Sequence, residues 1–116
     1  MSEPVILVAE DETMIRTLIA EHLADSGFEV VEAPNAEVAL DLIKSRPVDL
    51  VFTDVNMPGA MQGDSLADWL STHRPTLPVL ITSGVAKPML RGRSRRFIRK
   101  PYSLVDLEHE IRELLH

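Results

Sequence analysis

Reactive side chains stand directly after apolar segments at four points in the chain. They are Glu10 with Asp11, Asp54, Ser83 and Lys100. Each apolar segment is short enough to be a buried strand, and in a parallel sheet all strands end at the same edge. We therefore expect these side chains to meet in one site, with Asp54 at its centre.

The predicted site combines carboxylates, a hydroxyl and an ammonium group. Carboxylates held close together raise each other's pKa, and a hard divalent cation relieves this repulsion. Oxygen ligands select Mg²⁺, with Mn²⁺ as a substitute, and Mg²⁺ is suited to holding a phosphoryl group. Lys100 would contribute a positive charge and Ser83 a hydrogen-bond donor to the phosphoryl oxygens. Asp54 is then the predicted nucleophile, because a carboxylate can accept a phosphoryl group as an acyl phosphate.

Each residue also has a simpler interpretation when it is considered alone. An aspartate at a strand end commonly forms a turn, and Ser83-Gly84 is a common turn pair. The acidic run Glu10-Asp11-Glu12 could simply favour the start of a helix through the helix dipole. The order of all four groups at successive strand ends favours a shared site.

Five apolar runs alternate with amphipathic segments, which predicts alternating strands and helices. The expected strands cover residues 4–9, 28–33, 49–53, 78–82 and 96–99. Expected helices begin near Thr13, after Asn35, near Ser65 and after Ser103, while the stretch 83–93 predicts a loop with at most a short helix. Gly27 should end the first helix. This alternation implies one parallel sheet with right-handed crossovers.

The helical spacing of apolar residues also predicts which side of the first helix faces the core. That predicted inner face consists of Ile15, Leu18, Ile19 and Leu23.

Length and composition describe an ordinary globular chain. It has 116 residues, of which 45% are hydrophobic and 26% charged, and we expect one domain spanning residues 1–116. The absence of cysteine excludes disulfides and thiolate metal sites. A net charge of −6 argues against direct nucleic-acid binding. No apolar run approaches the roughly 20 residues of a membrane span, and no secretory signal is visible, so a cytoplasmic location with no membrane contact is expected.

An arginine-rich run stands out against this acidic background. It consists of Arg91, Arg93, Arg95, Arg96 and Arg99. One interpretation is a surface for a partner or an anion, and the other is a solvated loop and edge strand.

The motifs together resemble response-regulator receiver domains of two-component signalling over essentially the whole chain. The segments that carry the resemblance are Val8-Ala9-Glu10-Asp11-Glu12, Asp54-Val55-Asn56-Met57-Pro58-Gly59, Ile81-Thr82-Ser83-Gly84 and Lys100-Pro101-Tyr102-Ser103. The resemblance implies an α/β fold of the CheY-like type. This is a (βα)5 flavodoxin-like three-layer sandwich, whose five-stranded parallel sheet has the order 2-1-3-4-5.

The resemblance also implies a phosphorylation site. Asp54 would be phosphorylated by a histidine kinase or a histidine phosphotransfer protein. Mg²⁺ would be bound by Asp11, Asp54 and the backbone carbonyl of Asn56, with Glu10 nearby through water. We expect self-phosphorylation and self-dephosphorylation that depend on Mg²⁺, and no turnover of an external substrate.

A conformational switch is a further implication of the resemblance. Lys100 and Ser83 would bind phosphoryl oxygens, and the ring of Phe97 would follow the Ser83 hydroxyl into the space that it leaves. The segment between Ser83 and Lys100 is shorter than is usual in receivers, which predicts a shortened or irregular fourth helix. A downstream protein partner is expected to bind through residues 84–99 and the last helix, and the protein to be a monomer or a weak dimer.

Other readings of the sequence remain open at this point. A pseudo-receiver would keep the fold but bind partners without accepting phosphate. A haloacid-dehalogenase-type phosphatase also uses an aspartate after a strand, although its nucleophile comes first in the chain and its acidic pair late. The sequence also leaves open whether the domain stands alone or forms the receiver portion of a hybrid kinase.

Overall fold

A computed structural model describes residues 3–55, 57, 63–84 and 95–116 of the protein. The strands are β1 (Val5–Ala9), β2 (Glu29–Ala33), β3 (Leu50–Asp54), β4 (Val79–Ser83) and β5 (Arg95–Arg99). The helices found in these ranges are α1 (Thr13–Asp25), α2 (Ala36–Ser45), α3 (Gly63–His73) and α4 (Leu104–Leu115). The irregular helix predicted between Ser83 and Lys100 falls mostly on residues 85–94, which lie outside the described ranges.

All five strands are parallel and form one sheet of order β2-β1-β3-β4-β5. The register pairs Asp54 with Thr82 and Ser83 with Arg99, so neighbouring strands end at nearly the same level. The predicted sheet and its order are therefore confirmed, and the carboxyl ends of the strands share one edge. None of the described helices is long and apolar enough to cross a membrane.

The core has two layers because helices cover both faces of the sheet. Helices α2 and α3 pack on one face against Leu7, Val51 and Val79. Helices α1 and α4 pack on the other against residues that include Phe52 and Leu80. Burial on both faces explains why the strands read as continuous apolar runs instead of alternating ones.

Local signals set the ends of the helices as the sequence predicts. Gly27 follows α1 with a φ of 98°, a left-handed conformation that favours glycine. Asn35 Oδ1 accepts a hydrogen bond from the Val38 amide at 2.8 Å, and Ser103 Oγ accepts one from the Asp106 amide at 3.0 Å. These capping contacts satisfy amides that have no partner within their own helix.

The predicted inner face of α1 is wrong at Leu18, whose surface is 56% exposed. Ile19 and Leu23 form the buried stripe, and Leu18 is turned away from Ile19 by the 100° that separates consecutive helical residues. Leu18 lines an apolar hollow of about 490 Å³ between α1 and the segment after β5, together with Tyr102 and Leu104.

A polar cluster joins α1 to α4 at the surface. Glu108 Oε1 accepts a hydrogen bond from Ser26 Oγ at 2.8 Å and lies 2.9 Å from His22 Nε2. Glu108 Oε2 accepts from Arg112 Nε at 2.9 Å, and Arg112 also donates to the Ser26 carbonyl at 2.8 Å. The Ser26 hydroxyl and then Arg112 contribute most to lowering the pKa of Glu108 below its usual 4.5. This carboxylate therefore stabilises the contact between the two helices in its ionised form.

We expect Glu108→Gln to lower the free energy of unfolding at neutral pH by about 1 kcal/mol, because the cluster loses its charge-assisted hydrogen bonds. A lowered native-state pKa contributes stability above the pKa of the unfolded state, and this contribution is lost as pH falls through the native value. The difference between variant and wild type in urea unfolding should therefore shrink on acidification. Glu110→Gln, which removes one ion pair to Arg96, is the matched control and should have a smaller effect.

Candidate phosphoryl-transfer site

Asp54 is the last residue of β3, near the middle of the sheet edge, and is only 3% exposed. The chain leaves the sheet directly after it, where the Val55 amide donates to the Thr82 carbonyl at 3.0 Å. A carboxylate this deeply buried requires a positive charge or hydrogen-bond donors nearby.

Lys100 supplies the positive charge. Its Nζ forms an ion pair with Asp54 Oδ2. The Lys100 backbone is held after β5 by a 3.1 Å hydrogen bond from its amide to the Ser83 carbonyl. Because β4 lies between β3 and β5, the Lys100 side chain crosses the end of β4, where its Cδ would lie 3.9 Å from a Cβ added at Gly84. Burial alone would lower the pKa of Lys100, but the hydrogen bond and charge of Asp54 outweigh it and leave the pKa raised.

Glu10 is a second buried carboxylate at the same edge, only 1% exposed. Its Oε1 accepts a hydrogen bond from the Glu12 amide at 3.2 Å, whereas Oε2 has no hydrogen-bond partner within the described ranges. Burial and, to a smaller extent, the charge of Asp54 raise the pKa of Glu10 to about 7. This site therefore has acidic groups whose charges are incompletely balanced.

Asp11 lies beside Glu10 at this edge with an exposed side chain. No three acidic or histidine side chains of the described residues come together as a complete metal-ligand group. Asn56, whose backbone carbonyl the resemblance adds as a ligand, lies outside those residues. The buried Glu10 oxygen without a partner and the repulsion between acids fit a hard cation, which typically takes one or two carboxylates and keeps several waters.

Ser83 and Phe97 lie on the same face of the sheet. Phe97 pairs in register with Ile81, which stands two residues before Ser83 on β4. Residues two apart on a strand point to the same side. Ser83 is buried, and the half-buried ring of Phe97 packs against the layer that contains α2 and α3. The predicted switch pair thus lies on one face of two neighbouring strands.

The sequence did not single out two residues that shape the site. Arg16 Nη1 donates to the Glu10 carbonyl at 2.8 Å, and Arg16 Nε donates to Glu32 at 3.2 Å, which fixes the backbone that carries the acids. Tyr102 packs edge to face on Phe52 with ring centroids 5.9 Å apart. Burial first, then the charges of Glu10 and Asp54, raise the pKa of Tyr102.

The arginines of the arginine-rich run differ in their exposure to solvent. The solvated interpretation is wrong for Arg95, which is only 8% exposed and donates to the Leu77 carbonyl. Arg96 lies on the surface and pairs with Glu110 of α4 at 3.0 Å. Arg91 and Arg93 lie outside the described residues, so the partner-surface interpretation of the run remains a prediction.

Comparison with known proteins identifies the family of this chain. Residues 6–112 match the family model of the response regulator receiver domain. The response regulator receiver protein CpdR of Brucella abortus is 30% identical over 115 residues, which cover 95% of each chain. The receiver domain of the hybrid histidine kinase CckA is 31% identical, with a TM-score of 0.82 over 97% of this chain and 99% of that one.

The response regulator TrrA of Thermotoga maritima, solved in complex with Mg²⁺–BeF, is 27% identical with a TM-score of 0.86, over 96% of this chain and 98% of that one. Several curated relatives are much longer, and this chain spans 23% of the length of the NtrX-like response regulators of Rickettsia. The family match extends over both the acidic residues and the lysine of the site. The chain therefore belongs to the response regulator receiver domains of two-component signalling.

Proposed function

We propose that Asp54 accepts a phosphoryl group from a phosphohistidine of a histidine kinase or a histidine phosphotransfer protein. The observation that carries this proposal is the buried ion pair between Asp54 and Lys100 at the carboxyl edge of the sheet. It brings together a nucleophile and a positive charge beside a second buried carboxylate. This is the combination that phosphoryl transfer uses, since its catalysis depends mainly on positioning and charge.

The transfer step follows from the placement of these groups. An Asp54 carboxylate oxygen forms a bond to phosphorus, while the bond from phosphorus to the imidazole nitrogen of the donor breaks and its electron pair stays on that nitrogen. The Lys100 ammonium binds one phosphoryl oxygen, and the Ser83 hydroxyl donates to another. These contacts stabilise the negative charge that spreads over the phosphoryl oxygens in the transition state.

We propose Mg²⁺ as the cofactor, held by Asp11, Asp54 and the carbonyl of Asn56, with Glu10 contacting it through water. When bound it would neutralise the acids and the phosphoryl oxygens. TrrA, which has the same fold, was solved with Mg²⁺–BeF. Mn²⁺ should substitute, because its ligand preferences are similar.

The proposal predicts that a small-molecule phosphodonor with Mg²⁺ adds one phosphoryl group to the wild type and none to Asp54→Ala. Intact mass spectrometry measures this directly. Asp41→Ala, which removes an exposed aspartate of α2, is the control and should be labelled like the wild type. Equal labelling of Asp54→Ala would contradict the assignment of the nucleophile, and an unlabelled wild type would favour a pseudo-receiver. Turnover of an external phosphomonoester would favour the phosphatase reading.

We further propose that Lys100 links phosphorylation to the switch. Lys100 reaches Asp54 across the end of the strand that carries Ser83, and Phe97 shares a face of the sheet with Ser83. A phosphoryl group that attracts the Lys100 ammonium and the Ser83 hydroxyl would leave space for the ring of Phe97.

Lys100→Ala should therefore keep the fold and Mg²⁺ binding but lose the conformational response to phosphorylation. Amide spectra of the phosphorylated variant and wild type test this, with the amide of Phe97 as the main reporter. If phosphorylation shifts the Phe97 amide resonance of Lys100→Ala as much as that of the wild type, Lys100 does not have this role.

The apolar hollow offers a docking surface for the protein that donates the phosphoryl group. Lys100 and Tyr102 line it, so it is continuous with the site that the donor must reach. Leu18 lies in it with more than half its surface exposed. An apolar surface next to the nucleophile would hold a partner with the phosphohistidine over Asp54.

Leu18→Ser should slow phosphotransfer from a phosphorylated kinase or phosphotransfer protein by about tenfold, the effect of losing one central apolar contact in an interface. Labelling of the same variant by a small-molecule donor should be unchanged, because that donor needs no docking surface. If both reactions slow equally, Leu18 affects the site itself and not docking.

The downstream partner is proposed to bind through residues 84–99 and α4. The ion pair between Arg96 and Glu110 joins these two segments on one surface. The described strands and helices share one sheet and its two helical layers, which supports the proposal of a single domain over residues 1–116.

A further inference from the structure

Two buried threonines near Asp54 differ in one respect. Thr53 and Thr82 are both fully buried. The Thr53 hydroxyl donates to the Asp54 carbonyl at 3.1 Å. The Thr82 hydroxyl has no hydrogen-bond partner within the described part of the chain. A buried hydroxyl without a partner destabilises a protein, so its presence requires an explanation.

The position of Thr82 suggests that explanation. Thr82 pairs in register with Asp54, and register partners on neighbouring strands point to the same face of a sheet. Thr53 precedes Asp54 by one residue and therefore points to the opposite face. The Lys100 side chain crosses the end of β4 on its way to Asp54. The Thr82 side chain thus extends from the neighbouring strand on the same face of the sheet as the Asp54 carboxylate.

We propose that Thr82 is a positioning residue for the acyl phosphate, and this inference rests on the proposed function of Asp54. In the unphosphorylated protein the Lys100 ammonium occupies one Asp54 oxygen. After transfer, one Asp54 oxygen carries the phosphoryl group, and Lys100 is attracted to the phosphoryl oxygens. The Thr82 hydroxyl then donates to the other Asp54 oxygen, which has become a carbonyl.

This hydrogen bond affects how long the phosphoryl group remains. In hydrolysis, a water oxygen bonds to phosphorus, the bond from phosphorus to Asp54 breaks, and its electron pair remains on the Asp54 carboxylate. The water releases a proton to solvent, and inorganic phosphate leaves. The negative charge that develops on Asp54 is shared by both of its oxygens, so a donor to the second oxygen becomes stronger as the bond breaks. Thr82 therefore accelerates loss of the phosphoryl group.

The test compares the loss of label from phosphorylated wild type, Thr82→Val, Thr82→Ser and Thr53→Val by intact mass. Thr82→Val keeps the shape of the side chain and removes the donor, so its phosphoryl group should persist about tenfold longer, as expected for one hydrogen bond to a charged group. Thr82→Ser keeps the hydroxyl and should retain the wild-type lifetime. Thr53→Val removes an equally buried hydroxyl on the other face and should also retain it.

A purely structural role for the Thr82 hydroxyl predicts a different result. Thr82→Val would then melt at a lower temperature than the wild type while the lifetime of its phosphoryl group stayed unchanged, and an unchanged lifetime overturns the inference. A longer lifetime in both valine variants overturns it as well. If Thr82→Val does not fold, Thr82→Ala against Thr82→Ser provides the same comparison. If the wild type is not phosphorylated at all, both the proposed function and this inference are refuted. If the wild type is phosphorylated but Thr82→Val does not lengthen the lifetime of the phosphoryl group, only the inference is refuted.

Discussion

The site depends on keeping two carboxylates buried side by side. Glu10 and Asp54 are almost fully removed from water, and burial first, then the charge of Asp54, make ionisation of Glu10 less favourable. The ion pair with Lys100 offsets part of this repulsion. The offset is incomplete, because burial first and then the charge of Asp54 leave the pKa of Glu10 raised, and its Oε2 has no hydrogen-bond partner among the described residues. Additional positive charge beside these two carboxylates would therefore be stabilising. This favours binding of a cation together with a phosphoryl group.

The sheet order makes this arrangement possible. Asp54 ends β3 and Lys100 directly follows β5, and β4 lies between these two strands. A lysine is long enough to cross one strand, and Gly84 presents no side chain along its path. Parallel strands place all their carboxyl ends on one edge, so groups from separate loops meet without any long-range motif in the sequence. The ion pair is therefore a consequence of topology as much as of residue type.

Local patterns predicted the elements and their ends, because these depend on neighbouring residues. The caps at Asn35 and Ser103 and the turn at Gly27 are examples. Contacts that depend on distant partners were not predictable. The exposure of Leu18 depends on where α4 packs, and the burial of Arg95 depends on the Leu77 carbonyl. That the Thr82 hydroxyl has no hydrogen-bond partner among the described residues could not be inferred either, since a sequence does not show which hydroxyl of a buried strand lacks one.

The layer of α1 and α4 contains a polar cluster that joins its two helices to each other. Glu108 and Arg112 join α1 and α4 by several hydrogen bonds on the layer that borders the apolar hollow. Phe97 packs into the opposite layer. The ring of Phe97 and the cluster around Glu108 therefore lie in opposite layers of the domain. Substitutions that tune the packing of the ring could accumulate over evolution while the bonds between α1 and α4 are kept.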